Sequence, residues 1–247
     1  MRTSLVGLSL FALVAAAAPA FAQDAPASDF TLTGGATMVS DYRFRGISQT
    51  NKRFAIQGTF GISHSSGFYV SAWGSSIDDY VAGGSDQEID LIGGYKKTFD
   101  GTTVDVGVLY YYYPGSGGIN TDFFEPYASV SHTFGPIGVK VGGNFAWKQH
   151  ALSYGPKPSE GGAYLYGELS AAIPNTGFTI TGHAAHSFTK NYITFGEKYS
   201  DVSVTAAYTW KNLTASIAYV DTTRATFTSG TRNVGSSGVV GAIGVAF

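Results

Sequence analysis

The residues most able to do chemistry in this chain are scattered. His64-Ser65-Ser66-Gly67 resembles the His-x-Ser pairing of barrel phospholipases, but Gly67 stands where those lipases continue with Asn. The expected position of this segment is a short solvated turn. His183 and His186 are three apart, so on a strand they face opposite sides and cannot share a metal without a bulge. His132 and His150 have no ligating neighbours in the sequence. Asp78, Asp79, Asp86 and Glu88 form an acidic run without the spacing of a calcium loop, and are expected to be a solvated loop. Gly115-Ser116-Gly117-Gly118 has no following Lys-Ser/Thr, so it is no phosphate loop. With no Cys in the chain, thiolate nucleophiles, thiolate metal sites and disulfides are excluded. The reading is not an enzyme, with no cofactor and no metal.

The elements that carry these residues have a different purpose. Among 247 residues, Lys+Arg number 15 and Asp+Glu 17, for a net charge of -2, and only 13% are charged. Such a chain lacks the basic face that phosphate backbones require, so nucleic acid is not an expected partner. An aromatic content of 15% argues equally against disorder. At the amino terminus, Arg2 precedes an apolar stretch from Leu5 to Ala18, and Ala20-Phe21-Ala22 has the form of a signal-peptidase site. Residues 1–22 are therefore expected to be a cleaved signal peptide, with a mature domain over 23–247.

Within that domain, hydrophobicity alternates with a period of two. Phe54, Ile56, Phe60 and Ile62 oppose Ala55, Gln57, Thr59 and Ser63, and Val104, Val106, Val108, Tyr110 and Tyr112 oppose Thr103, Asp105 and Gly107. Such segments recur at 30–42, 53–63, 68–76, 88–99, 102–113, 123–134, 137–149, 162–173, 178–189, 199–210, 213–223 and 238–247. They are long for a soluble sandwich but match the ~9–11 residues of a tilted membrane strand. Short connections such as Asp100-Gly101 alternate with long ones such as Arg43 to Lys52, and aromatic residues gather near strand ends. The fold expected is all-β: a transmembrane antiparallel up-and-down β-barrel of about twelve strands, with ten or fourteen as alternatives. Both termini fall at the short-turn, periplasmic end. The carboxy-terminal strand Val239, Gly241, Ile243, Val245, Phe247 ends on an aromatic, like the last strand read by the bacterial barrel-assembly machinery.

Apolar faces must then meet lipid and polar faces the lumen, because hydrocarbon cannot satisfy polar groups. The inward set is Asp90, Asp105, Glu125, Lys140, Asn144, Lys148, Glu168 and Asp201, narrowed by Tyr111, Tyr113, Tyr127, Tyr164 and Tyr166. Unpartnered charges are costly in a dry interior, so they either pair across a plug or water fills the space.

Ser40-Asp41-Tyr42-Arg43-Phe44-Arg45-Gly46-Ile47-Ser48-Gln49-Thr50 resembles the amino-terminal hallmark of a proteobacterial family of TorF-type porins, also called Gcw_chp. The resemblance extends over roughly residues 28–247 and implies an outer-membrane barrel and passive transport, without a ligand or a functional site. Within the motif, Arg43 and Arg45 are two apart and share a face of an extended chain. Facing the lumen, they would be a cationic pair at a pore mouth that favours anions; otherwise they would pair with lumen acids or bind lipopolysaccharide phosphates. Gly46 would permit a sharp turn.

The function expected is an outer-membrane channel for passive diffusion of small hydrophilic solutes, in contact with lipid and lipopolysaccharide. The rival is a non-conducting barrel acting through its long loops. A membrane enzyme is the least supported.

Overall fold

The computed structural model describes residues 28–154, 161–223 and 227–247. The expected signal peptide, 1–22, lies outside the described residues. In chain order the strands are β1 (Phe30–Val39), β2 (Arg43–Phe44), β3 (Ile47–Ser48), β4 (Ala55–His64), β5 (Phe68–Ser76), β6 (Gln87–Phe99), β7 (Thr102–Tyr112), β8 (Phe123–Phe134) and β9 (Ile137–Ala146). They continue with β10 (Gly162–Ala172), β11 (Phe178–Ser187), β12 (Tyr199–Trp210), β13 (Leu213–Thr222), β14 (Thr228–Ser229), β15 (Arg232–Asn233) and β16 (Gly238–Ala246). A single turn of 3₁₀-helix covers His150–Leu152.

Twelve of these strands close into one antiparallel barrel in which each pairs with its neighbours in sequence, β1 meeting β4 on one side and β16 on the other. The twelve expected segments correspond one to one with the barrel strands. β8 and β12 have the expected bounds, whereas β1 ends at Val39 and β9 at Ala146, each three residues early. The remaining short strands pair as two hairpins, β2–β3 and β14–β15, within the long connections. Closure leaves no unpaired sheet edge, the condition for a sheet to cross hydrocarbon.

The outward face is apolar along every wall: Leu32, Ile56, Val70, Leu91, Val141, Leu169, Val204, Ile217 and Ile243 are all exposed. At the short-turn end Phe68 packs edge-on against Tyr95, and Phe178 meets Tyr208. At the other end Tyr110 packs on Phe124, which stacks on Trp147. These are two aromatic girdles bounding an apolar band. Of the run Tyr110 to Tyr113, alternate residues divide: Tyr112 is exposed outward while Tyr111 is buried in the lumen. Tyr80 belongs to no girdle, because its hydroxyl turns inward to the Ser48 carbonyl.

Turn chemistry fixes the register. Between β6 and β7, Asp100 and Gly101 both take positive φ (46° and 78°), the type I′ geometry whose twist suits a two-residue hairpin. Inside the barrel, tyrosines lie flat over glycines directly opposite them, pairing Tyr69 with Gly94, Tyr127 with Gly107 and Tyr166 with Gly142. A Cβ at Gly107 would stand 2.6 Å from the Tyr127 hydroxyl and 2.6 Å from the Gly93 carbonyl oxygen, so a side chain there is excluded. The buried apolar residues sit in the long-loop half of the lumen. There Val39, Tyr42, Trp73, Val81 and Val220 form one cluster, and Leu109, Tyr111, Phe123, Leu152 and Ile193 another.

Candidate functional site: a hairpin across the lumen

The long connection after β1 folds inward. β2 and β3 pair Arg43 with Ser48 and Phe44 with Ile47. Arg45 and Gly46 make the turn between them, with φ of 48° and 81°. This is again type I′, and a non-glycine residue at positive φ is uncommon enough to require support from its surroundings. The support comes from the far wall. Arg45 Nη2 donates to both carboxylate oxygens of Glu125 at 2.7 Å, and its guanidinium lies 4.2 Å from the Tyr164 ring centroid. Burial works against that charge, but Glu125 outweighs it and holds the guanidinium above its usual range. β8 and β10, which carry Glu125 and Tyr164, are five strands from β1 in either direction around a twelve-stranded ring. The hairpin therefore spans the barrel.

Its flanks are seated as closely. Phe44 packs edge-on against Tyr111 at 6.0 Å, and Tyr42 against Trp73 at 5.3 Å. On the opposite side Gly46 rests on β12 and β13, where an added Cβ would stand 2.4 Å from Thr222 Cγ2 and 2.9 Å from Asp201 Cβ. Arg43 does not share a face with Arg45. Its Nε donates to Asp41 Oδ2 at 2.8 Å, and its Nη1 to the carbonyls of Gly46 at 3.0 Å and Ser236 at 2.8 Å. Arg43 and Arg45 are thus two separately paired arginines and not a cationic pair: Arg45 meets the lumen acid Glu125, as in the alternative reading, and the turn at Arg45 breaks the extended geometry that would have aligned the two. Asp41 also accepts from Ser48 Oγ at 2.5 Å, closing the hairpin base.

Around this hairpin the wall residues form three polar groups. Glu125 accepts further from Tyr111 at 3.1 Å and Asn144 at 3.0 Å. His183 lies between two carboxylates, with Nδ1 3.3 Å from Glu168 Oε1 and Nε2 3.3 Å from Asp201 Oδ1, and Tyr164 donates to Asp201 at 3.2 Å. Nearer the short turns, Tyr69 donates to Asp105 at 2.7 Å, and Lys96 Nζ stands 3.2 Å from the same carboxylate. Lys140 lies 5.3 Å from the Tyr166 ring centroid.

Asp90, Asp105, Glu125, Lys140, Asn144, Glu168 and Asp201 all occur on barrel strands, and Asp90, Glu125, Glu168 and Asp201 are buried. Lys148 does not: β9 ends at Ala146, and Lys148 is exposed in the following connection. Glu88 corrects the expectation in the other direction. It is the second residue of β6 and 2% exposed, not part of a solvated acidic loop. Asp78 does lie in the loop and pairs with Arg53. Reading the sequence by residue type missed Tyr69, Lys96 and the lumen role of His183; their signal was the strict alternation that also places Asp105 and Asp201 inward.

The other chemistry-bearing groups form no such assembly. His64 Nδ1 meets Ser66 Oγ at 2.7 Å in the exposed turn after β4, and the same nitrogen accepts the Ser66 N–H at 3.2 Å, which closes the turn. His186, opposite in orientation to His183, bonds Ser200 at 2.8 Å. His132 pairs with Thr102 at 2.8 Å. Among the described residues, no group of three His, Cys, Asp or Glu side chains converges to hold a metal.

A closed antiparallel barrel, apolar outside, polar within and crossed by an inward loop, defines a transmembrane β-barrel of the outer-membrane type. The chain belongs to the Gcw_chp family, described as a bacterial protein of unknown function, which it matches over residues 23–247. No curated protein sequence matches it. Among solved structures it is similar to the NanC porin, with a TM-score of 0.58 at 15% identity, covering 88% of this chain and 99% of that one. It is also similar to the COG4313 outer membrane channel of Pseudomonas putida F1, with a TM-score of 0.51 at 11% identity, covering 93% and 98%. At such identities the likeness is one of fold.

Proposed function

We propose that this protein is an outer-membrane channel for passive diffusion of small hydrophilic solutes, narrowed by the Tyr42–Gln49 segment. The observation that carries the reading is the hairpin anchored to Glu125 across a lumen walled by charged and polar side chains. A barrel needing only to be stable would fill that space more cheaply with apolar residues, since buried ion pairs contribute little net stability. Accessibility falls toward the hairpin: the Lys96 side chain is 54% exposed and that of Asp105 17%, whereas Asp90 is 0% exposed. This gradient is what a vestibule ending at a constriction requires. The NanC porin and the COG4313 channel add support as barrels of similar fold. Solutes would pass by exchanging hydration for hydrogen bonds to the more accessible wall groups Lys96, Asp105, Lys140 and Asn144, filtered by width and charge.

Export would use residues 1–22 as a cleaved leader, and Phe247 would be the residue read during barrel assembly. The outward apolar band would contact lipid, and the long loops lipopolysaccharide. A non-conducting barrel is the second reading, favoured by one observation: Ile47, Tyr199 and Val234 pack into a further apolar cluster over the hairpin. Swelling of proteoliposomes in solutes of graded size separates the two. The channel reading predicts uptake of the smallest solutes with a sharp size limit; no uptake at any size overturns it.

A further inference from the structure

Glu88 and Asp90 lie two apart on β6, so both carboxylates project from the same wall beneath the hairpin. Both are enclosed, at 2% and 0% exposure. One Glu88 oxygen accepts from Tyr113 at 3.3 Å. Neither oxygen of Asp90 has a hydrogen-bond partner. The Tyr42 hydroxyl, on a side chain 3% exposed and set against Trp73, has Glu88 as a polar neighbour. Burial raises that hydroxyl well above its usual range, and the nearby Glu88 and Asp90 charges add to the effect, so it stays protonated.

The neighbouring cations are engaged elsewhere. Arg43 pairs with Asp41, Arg45 with Glu125 and Lys96 with Asp105, while His183 stands between Glu168 and Asp201. Two buried carboxylates without a counter-charge are strongly disfavoured, so the pair is neutralised by protons, or by one proton and one small cation. A divalent or transition metal is a poor fit, because no three His, Cys, Asp or Glu side chains converge among the described residues. Two carboxylates and phenolic oxygens beside aromatic faces suit a single charge of small radius.

We infer that Glu88, Asp90 and Tyr42 form a subsite for a small monovalent cation, either an alkali ion or the ammonium head of a solute. The inference gives the proposed channel a cationic substrate class and rests on that reading for its transport meaning; binding itself does not depend on conduction.

The test is the thermal unfolding midpoint of the refolded full barrel in detergent. Potassium chloride, methylammonium chloride and N-methylglucamine chloride are compared at equal ionic strength, the last cation being too large for the subsite. Binding to the folded state alone raises the midpoint. The expected rise over N-methylglucamine is about 2–4 °C in potassium or methylammonium. It should vanish in Asp90→Asn and shrink in Glu88→Gln, and whichever small cation gives it is the source. Equal midpoints in all three salts overturn the subsite, as does a rise that Asp90→Asn leaves intact. A barrel that shows the rise and fails to conduct in a planar bilayer upholds the subsite and overturns the channel reading.

Discussion

Arg45 and Glu125 form a two-pronged ion pair from the tip of a hairpin to the opposite wall of the barrel, both contacts at 2.7 Å and both side chains buried. The partners are 80 residues apart in sequence. Their contact joins the first long connection to the middle of the chain and makes the hairpin part of the lumen wall.

Arg45→Ala leaves Glu125 buried with only Tyr111 and Asn144 as hydrogen-bond donors. Removing one partner of a buried pair costs about 3–5 kcal/mol. The double variant Arg45→Ala/Glu125→Gln should recover much of that loss, because no uncompensated charge is left. Urea unfolding of the four proteins in the cycle measures it. A double variant as unstable as Arg45→Ala would show that the charge of Glu125 is not the source of the cost.

Gly46→Val should displace the hairpin without changing any charge. Its φ of 81° disfavours a β-branched residue, and a Cβ there would meet Thr222 Cγ2 at 2.4 Å. The expected outcome is a raised size limit in liposome swelling with barrel closure intact, as judged by heat-modifiable gel migration. An unchanged limit would mean that the tip does not bound the passage.

Much of this architecture is legible in the sequence, for a physical reason. A strand between lipid and a polar lumen must alternate at every position, so β8 and β12 show their bounds directly. The inward placement of Asp90, Asp105 and Asp201 follows from the same parity. The hairpin was not legible. Its turn puts Arg45, a non-glycine residue, at positive φ, and what makes that tolerable is Glu125 and Tyr164 on distant strands. An extended reading therefore aligned Arg43 with Arg45, when the turn separates them. Lys148 was misplaced because alternation through Trp147 continues past the point where β9 leaves the sheet.

Gly107→Ala tests the tyrosine–glycine pairing. The new methyl meets the Gly93 carbonyl oxygen as well as Tyr127, and backbone cannot yield as a side chain can. Overpacking of this kind costs about 1–3 kcal/mol. A lowered urea midpoint is expected, and a wild-type midpoint would show that the Tyr127 ring moves aside freely.

Phe247→Ala tests closure. Phe247 and Gly34 exchange backbone hydrogen bonds at 2.8 Å in both directions, and the Phe247 ring occupies the space where a Gly34 Cβ would be. An aromatic laid over a glycine in this way pins strand register. The variant should show several-fold less heat-modifiable barrel in membranes while refolding in detergent. Normal membrane yield would exclude Phe247 as an assembly determinant.

The central claim is that the hairpin constricts a conducting barrel. Its most direct test is single-channel conductance in a planar bilayer, comparing the wild type with Arg45→Ala/Glu125→Gln. Small discrete steps in the wild type, at least doubled and more variable once the hairpin tip is unpinned, are the predicted result. Identical steps in both proteins, or no steps in either folded barrel, would contradict it.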